Sequence, residues 1–315
     1  MMKVLVTGGN GFIGSYILRQ LAGTGHSVRV LTRDSSAAAP VVSASNLELV
    51  DGDILDSGSL DQAMKRCDAV IHLVGIIREI PSRGITFERI HAEGTRNTVE
   101  AALKAGVGSF VHMSANGASQ SGVSRYQTTK WEAEKSVESA GFDRWTIFRP
   151  SIVFGRPDPG RPEFASDLVR QLVKPFPVLP VFGRGDFLMQ PVAVTSLADA
   201  MVQALDGPGA NTVFEAGGPS VLPYTEILDV LAAAVGSKPK PKINVPVSLV
   251  SAGITLLGWT GLLPITQDQL DMLIQGNTCD YRRFHDVFGL EPVPFTVERL
   301  SYLRSGVRSP GCGEG

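Results

Sequence analysis

Short apolar runs alternate with amphipathic stretches through the first half of the chain. Residues 4–6, 28–31, 47–50, 69–74 (AVIHLV), 109–114 (SFVHMS) and 145–150 (WTIFRP) have the length and composition of buried strands. Helical periodicity fills the gaps: from the glycines after residue 6 through Leu21, over 59–66 (SLDQAMKR), over 87–106, and from Tyr126 to about Ala140. The 87–106 helix is expected to stop at Gly106, a C-cap glycine. Strands alternating with helices of this length predict an α/β fold, a doubly wound parallel sheet covered on both faces.

The pattern changes after Pro150. Prolines cluster in GRPDPGRPEF and KPFPVLPVFG, and the elements shorten. A helix is expected at 163–173, a strand near 190–194, a helix at 196–205, a strand at 212–218 and a helix at 224–236. The division predicted is a dinucleotide-binding domain over 1–150, a smaller C-terminal substrate or partner lobe over 151–305 interleaved with the sheet, and a flexible tail at 306–315. Residues 243–267 carry no charge, and 17 residues separate Pro246 from Pro264. That is the lower end of a membrane span, and Gly253, Gly258 and Gly261 weaken it as a helix. The segment reads as a helix covering the lobe, or as a surface helix at 246–264 that meets a membrane or an apolar partner.

Composition narrows the function. The 315 residues carry a net charge of −2, with 19% charged and 43% apolar, so no nucleic-acid surface is expected. Three scattered cysteines exclude a disulfide framework, and neither they nor the five histidines have metal-ligand spacing, so no metal is expected. The start MMKVLVTGG has no signal-peptide pattern, which predicts a cytoplasmic protein, in line with the few cysteines. The apolar segment adds the option of a peripheral membrane position.

Candidate chemistry sits in two places. In VLVTGGNGFIG, Gly8, Gly11 and Gly14 follow the first strand and open a helix. Gly8 permits a tight turn, Gly11 lets backbone approach a pyrophosphate, and Gly14 allows close packing of helix on strand. The second strand ends in Thr32–Arg33, where a site selective for NAD carries an acid. A cation there suits a 2′-phosphate, so NADP(H) is favoured and NAD(H) remains possible, with Asp34 one residue away. The second place is SRYQTTK. Tyr126 and Lys130 are four apart, on one helix face, where the ammonium would favour the phenolate and lower the phenol pKa. Such a pair moves a proton on or off a substrate oxygen; the alternative is a tyrosine that merely starts a helix.

In order along the chain, TGGNGFIG, DGDILD, IHLVG, GTRNTVEAA, the Tyr126–Lys130 spacing, FRPSIVFG, QPVAVTSLADA and FEAGGP resemble the extended short-chain dehydrogenase/reductase superfamily over about residues 3–305. The resemblance implies cofactor contacts from Gly8, Gly11, Phe12, Ile13, Gly14, Thr32, Arg33, Asp53, Ile54, Leu73, Val74, Gly75, Lys130, Pro150 and Ile152. Asp53 would touch the adenine and Lys130 the nicotinamide ribose, while Tyr126 would be the acid/base.

Departures mark the substrate side. The orienting Ser or Thr after the fifth strand aligns with Ala115, with Ser114 one residue early. A family Asn falls on His91, and an Arg that holds a sugar-nucleotide diphosphate falls on Met189, with Arg184 nearby. This combination is similar to an atypical subgroup around the nucleotide-binding accessory subunit of respiratory complex I. Two readings follow: an oxidoreductase on a small or apolar carbonyl or alcohol whose identity the sequence leaves open, and a non-catalytic nucleotide-binding assembly or regulatory protein. A sugar-nucleotide epimerase or dehydratase is a third.

Overall fold

The computed structural model describes residues 1–35, 44–257 and 265–305. Strands β1 (Lys3–Thr7), β2 (Ser27–Thr32), β3 (Leu47–Asp51), β4 (Ala69–His72), β5 (Ser109–Met113) and β6 (Arg144–Pro150) form one parallel sheet. The Thr212–Ala216 strand joins beside β6, so the seven strands run Thr212–Ala216, β6, β5, β4, β1, β2, β3.

Side-chain alternation explains the two helix layers. Val4, Val6, Val30, Ile71, Val111 and Phe148 pack with Ile17, Leu21, Leu197 and Met201, from the Phe12–Ala22 and Val194–Gln203 helices. Leu5, Leu31, Val70, Phe110 and Ile147 pack on the other face with Leu60, Val99 and Val137. Those three belong to the Ser57–Ala63, Gly94–Lys104 and Arg125–Glu138 helices. Each fully buried aliphatic side chain contributes about 1.5–3 kcal/mol, and a sheet apolar on both faces has no stable alternative to two helix layers. The fold is the expected Rossmann-like one.

A second cluster holds the C-terminal half together. Ile227, Leu228 and Leu231 of the Tyr224–Ala234 helix pack on Val169, Leu179, Val181, Phe295 and Leu300. Several elements differ from their sequence pattern. The helix expected from residue 87 opens with a π-helical turn, Glu88–Glu93, which puts Ile90, His91 and Ala92 all inside. The 163–173 helix is α-helical only over Phe164–Leu168 and continues as a π turn, Val169–Val173. The strand near 190–194 is two short strands, Leu188–Met189 and Val192–Ala193. Pro191 has no N–H for a ladder, and the buried Gln190 side chain instead donates to Gly218 O and accepts from Cys279 N. The apolar segment begins as a strand, Lys242–Val245, and continues as the Val247–Leu257 helix. Its residues 258–264 and the tail at 306–315 lie outside the described residues, and 265–267 lead into the Gln267–Gln275 helix. Among the described residues no helix is long and apolar enough to cross a membrane.

Candidate active site

The chain runs outward from β1 through β2 and β3, then returns to place β4 on the other side of β1. The carboxyl ends of β1 and β4 therefore diverge into a crevice, the usual ligand position in such sheets. Gly8 lines it with φ +74°, and a Cβ there would lie 3.0 Å from the Leu73 and Val74 backbone. A Cβ on Gly14 would meet the Gly8 and Gly9 backbone at 2.5–2.6 Å, so this glycine serves helix-on-strand contact. Gly11 differs. Its φ is −73° and a Cβ would approach only Gly8 O, at 3.2 Å. Gly11 is the N-cap of the Phe12–Ala22 helix, with no side-chain cap and no acid in the first turn. A helix terminus without a capping side chain can accept a phosphate. Gly11→Val is expected to keep the α/β circular dichroism spectrum and lose dinucleotide binding in calorimetry.

The remaining residues expected to hold the cofactor are placed unevenly. Phe12 and Ile13 are half-buried at the start of that helix, Leu73 is buried, and Gly75 is exposed. Thr32 is buried, and its hydroxyl accepts a 2.6 Å hydrogen bond from Asn10 Nδ2. Arg33 is exposed and forms no ion pair with another described residue, while Asp34 is exposed beside it. Asp53 Oδ1 accepts from Leu55 N at 2.9 Å, and Ile54 is buried. Pro150 ends β6, and Ile152 is half-buried just beyond it.

Tyr126 and Lys130 lie on the Arg125–Glu138 helix, capped by Ser124, which accepts from Gln127 N. Lys130 is 2% exposed and donates to Met113 O at 3.1 Å, at the end of β5. Burial pushes its ammonium down to about 8, against the opposing charge of Glu134. Glu134 is itself buried in a two-point ion pair with Arg149, with Nε–Oε1 at 2.8 Å and Nη2–Oε2 at 2.5 Å. The Tyr126 phenol is pushed up to about 12, and burial is the cause. This corrects the expectation that Lys130 lowers it: the ammonium is held on the Met113 carbonyl. In the absence of a ligand the phenol keeps its proton across neutral pH.

His91 joins the two residues to the loop after β4. Its Nε2 accepts from Ile76 N at 3.0 Å, so the proton sits on Nδ1, which donates to Thr129 Oγ1 at 3.1 Å. The ring meets Tyr126 edge-on at 5.2 Å, and Phe87 does the same at 5.7 Å. Burial, then the Lys130 charge, pushes His91 down to about 2, so it is neutral. A Cβ on Gly75 would lie 3.0 Å from Lys130 Nζ and 3.6 Å from His91 Nε2, which brings glycine loop, lysine and histidine to one point.

Ser114 and Ala115 are both buried after β5, and Ser114 Oγ has no hydrogen-bond partner among the described residues. The structure does not bring Met189 to this site. It is buried in the C-terminal cluster, paired with Leu222. Arg184 is exposed and bound to Asp186, 2.8 Å from its Nε.

Several residues escaped the sequence reading. His72 is buried between Thr7 Oγ1 and Thr95 Oγ1, at 2.7 and 3.1 Å, and stacks on His112 across paired strands. A histidine at the same place in two neighbouring apolar runs was the available signal. Gln127 Nε2 donates to Gln275 Oε1 at 2.8 Å, and Gln269 Nε2 donates to Ile77 O at 3.2 Å. The Gln267–Gln275 helix is thereby bound to both flanks of the site, a contact across about half the chain that no local pattern announces.

Comparison with known proteins gives the family and the fold. Residues 4–217 match the model of the NAD dependent epimerase/dehydratase family. The chain belongs to that family. A mitochondrial NADH-ubiquinone oxidoreductase 40 kDa subunit from Neurospora crassa is 27% identical over 95% of this chain and 78% of the subunit. The alpha subcomplex subunit 9 of the Arabidopsis thaliana NADH dehydrogenase is 30% identical over 78% of this chain, which spans 61% of that subunit. A ceramide reductase from Caulobacter vibrioides is 29% identical over 82% of this chain and 78% of that enzyme. Among solved structures, a dTDP-glucose 4,6-dehydratase from Streptomyces venezuelae with NAD bound superimposes with TM-score 0.72 at 23% identity, over 96% of both chains. A UDP-glucose 4-epimerase from Thermotoga maritima gives 0.73 at 22% identity, over 98% of this chain and all of that one.

Proposed function

We propose that this family member is an NADP(H)-dependent oxidoreductase that reduces a small or apolar carbonyl, with Tyr126 as proton donor. The observation that carries the reading is the convergence of Tyr126, Lys130, His91 and Gly75 at the carboxyl end of the sheet, beside the glycine crevice. The dinucleotide, when bound, would supply the hydride. Gly8, Gly11 and the first turn of the Phe12–Ala22 helix would hold its pyrophosphate, Arg33 its 2′-phosphate, and Lys130 its ribose. Tyr126 Oη then delivers a proton to the carbonyl oxygen as hydride reaches the carbon. A phenol whose pKa is near 12 is a proton donor at neutral pH, which suits the reductive direction. His91 is neutral and tied at both ring nitrogens, so it positions the Tyr126 ring and exchanges no proton.

Substrate class follows from the lining. The Phe87 and neutral His91 rings that meet Tyr126 edge-on give the phenol apolar neighbours, which favours an uncharged, apolar carbonyl. With Met189 buried and Arg184 tied to Asp186, the diphosphate of a nucleotide sugar has no evident cation, which argues against an epimerase or dehydratase role. The ceramide reductase relative supports an apolar substrate. A second reading, a nucleotide-binding assembly subunit without turnover, has support from the NADH dehydrogenase subunits among the relatives.

Cofactor choice is testable directly. Arg33→Ala is expected to weaken NADPH binding about tenfold or more and to leave NADH binding nearly unchanged, since a charge-assisted contact is worth roughly 1.5–3 kcal/mol. Calorimetric titration of both variants with both nucleotides measures it. Equal affinity of the wild-type protein for NADPH and NADH would refute the NADP assignment.

A further inference from the structure

We propose that a face built from residues 174–178, residues 238–243 and the Val247–Leu257 helix docks onto an anionic lipid bilayer. The Val247–Leu257 helix, VSLVSAGITLL, carries no charge and gathers Ser248, Ser251 and Thr255 on one face, yet none of residues 247–256 is buried. The comparable Tyr224–Ala234 helix buries six of its residues. Leu249 is 63% exposed. The strand pair that leads into the helix is also apolar and exposed at its edge. Residues Leu179–Phe182 pair with Lys242–Val245 in parallel, which sets the two lead-in segments side by side. On them Phe176 is 45%, Val178 39% and Ile243 58% exposed. Exposed apolar side chains in this number on one strand pair and the helix that follows it mark a contact with something apolar.

Charge selects the occupant. Between Lys238 and Gln267 the chain carries no acidic residue. Lys240 Nζ donates to Val173 O and, at 2.8 Å, to Phe176 O, so its charge sits at the root of the apolar edge with no carboxylate beside it. Lys174 and Lys238 are exposed and form no ion pair with another described residue. Only Lys242 is neutralised, by Asp229. Cations on the same segments as the exposed Phe176, Val178 and Ile243 match the headgroup and acyl layers of an anionic membrane. A second copy of this chain fits less well, because a two-fold contact would set one cationic face against another. Docking here is independent of the proposed chemistry, and its test needs no substrate.

The full-length chain is sedimented with phosphatidylcholine vesicles, with and without phosphatidylglycerol. The wild-type protein is expected to pellet with the anionic vesicles and to be released by salt. The double variant Ile243→Asp, Leu249→Asp should bind at least tenfold more weakly, with its melting temperature unchanged because both side chains are exposed. Lys174→Gln with Lys238→Gln should lower affinity by about tenfold or more, from roughly fivefold per cation near the surface. The proposal is overturned if the wild-type protein pellets with neither vesicle, or if the aspartate variant binds as the wild type does. It is equally overturned if gel filtration shows a dimer that the aspartate variant dissolves, since the face is then covered by a second copy.

Discussion

Tyr126→Phe is expected to lower the rate of carbonyl reduction by about 10²–10⁴-fold and leave NADPH affinity nearly unchanged. The substitution removes one hydroxyl and keeps the ring that packs edge-on against Phe87 and His91. Folding stability should therefore hold within about 1 kcal/mol. The discriminating readout is single-turnover hydride transfer, which separates chemistry from binding and product release. Unchanged hydride transfer in Tyr126→Phe would remove the proton-donor role and leave Tyr126 as a packing residue. The companion variant Ser114→Ala should be mild by comparison, because the Ser114 hydroxyl is buried. A loss as large as that of Tyr126→Phe would make Ser114 the orienting residue that the alignment assigns to Ala115.

Lys130→Met should separate stability from function in opposite directions. Burial holds the Lys130 ammonium down to about 8, below its ordinary 10.5, so the folded protein carries a charge it would rather lose. The unfolded chain binds that proton more readily, and stability therefore rises with pH between about 8 and 10.5. Below pH 8 the full penalty is present, on the order of 3 kcal/mol. Methionine fills a similar volume without the charge and gives up the bond to Met113 O. The expected net gain is about 1–3 kcal/mol at neutral pH, with the rise of stability above pH 8 flattened. Dinucleotide binding and turnover should both fall. Urea unfolding of the ligand-free protein across pH 7–10 checks the first half, and calorimetry with NADPH the second. A Lys130→Met protein less stable than the wild type at pH 7 would contradict this balance.

How much of this was legible in the sequence differs by residue. The alternation of Val4, Leu5 and Val6 between two helix layers was readable because strand period and burial are both local properties. The turn at Gly8 and the close helix contact at Gly14 were readable because both backbone requirements fall within seven residues. The electrostatics of Tyr126 were not. Spacing put Lys130 on the same helix face, but the carbonyl of Met113, on another strand, takes the ammonium. Likewise Met189 aligned with a cation position, yet its place is decided by packing against the C-terminal cluster. The π turn that carries His91 inward, and the Gln127–Gln275 bond, depend on contacts distant in sequence. Local patterns announced which residues could do chemistry; the tertiary fold decided which of them meet.

The measurement that tests the central claim most directly is isotope transfer. NADPH carrying deuterium at the reactive nicotinamide carbon is mixed with the wild-type protein and a panel of apolar aldehydes and ketones, and the products are read by mass spectrometry. The account predicts deuterium on the former carbonyl carbon of at least one substrate, at a rate that drops by about 10²–10⁴-fold in Tyr126→Phe while NADPH stays bound. Saturated NADPH binding with no deuterium transfer to any carbonyl in the panel would contradict it, and would make this chain a nucleotide-binding protein without turnover.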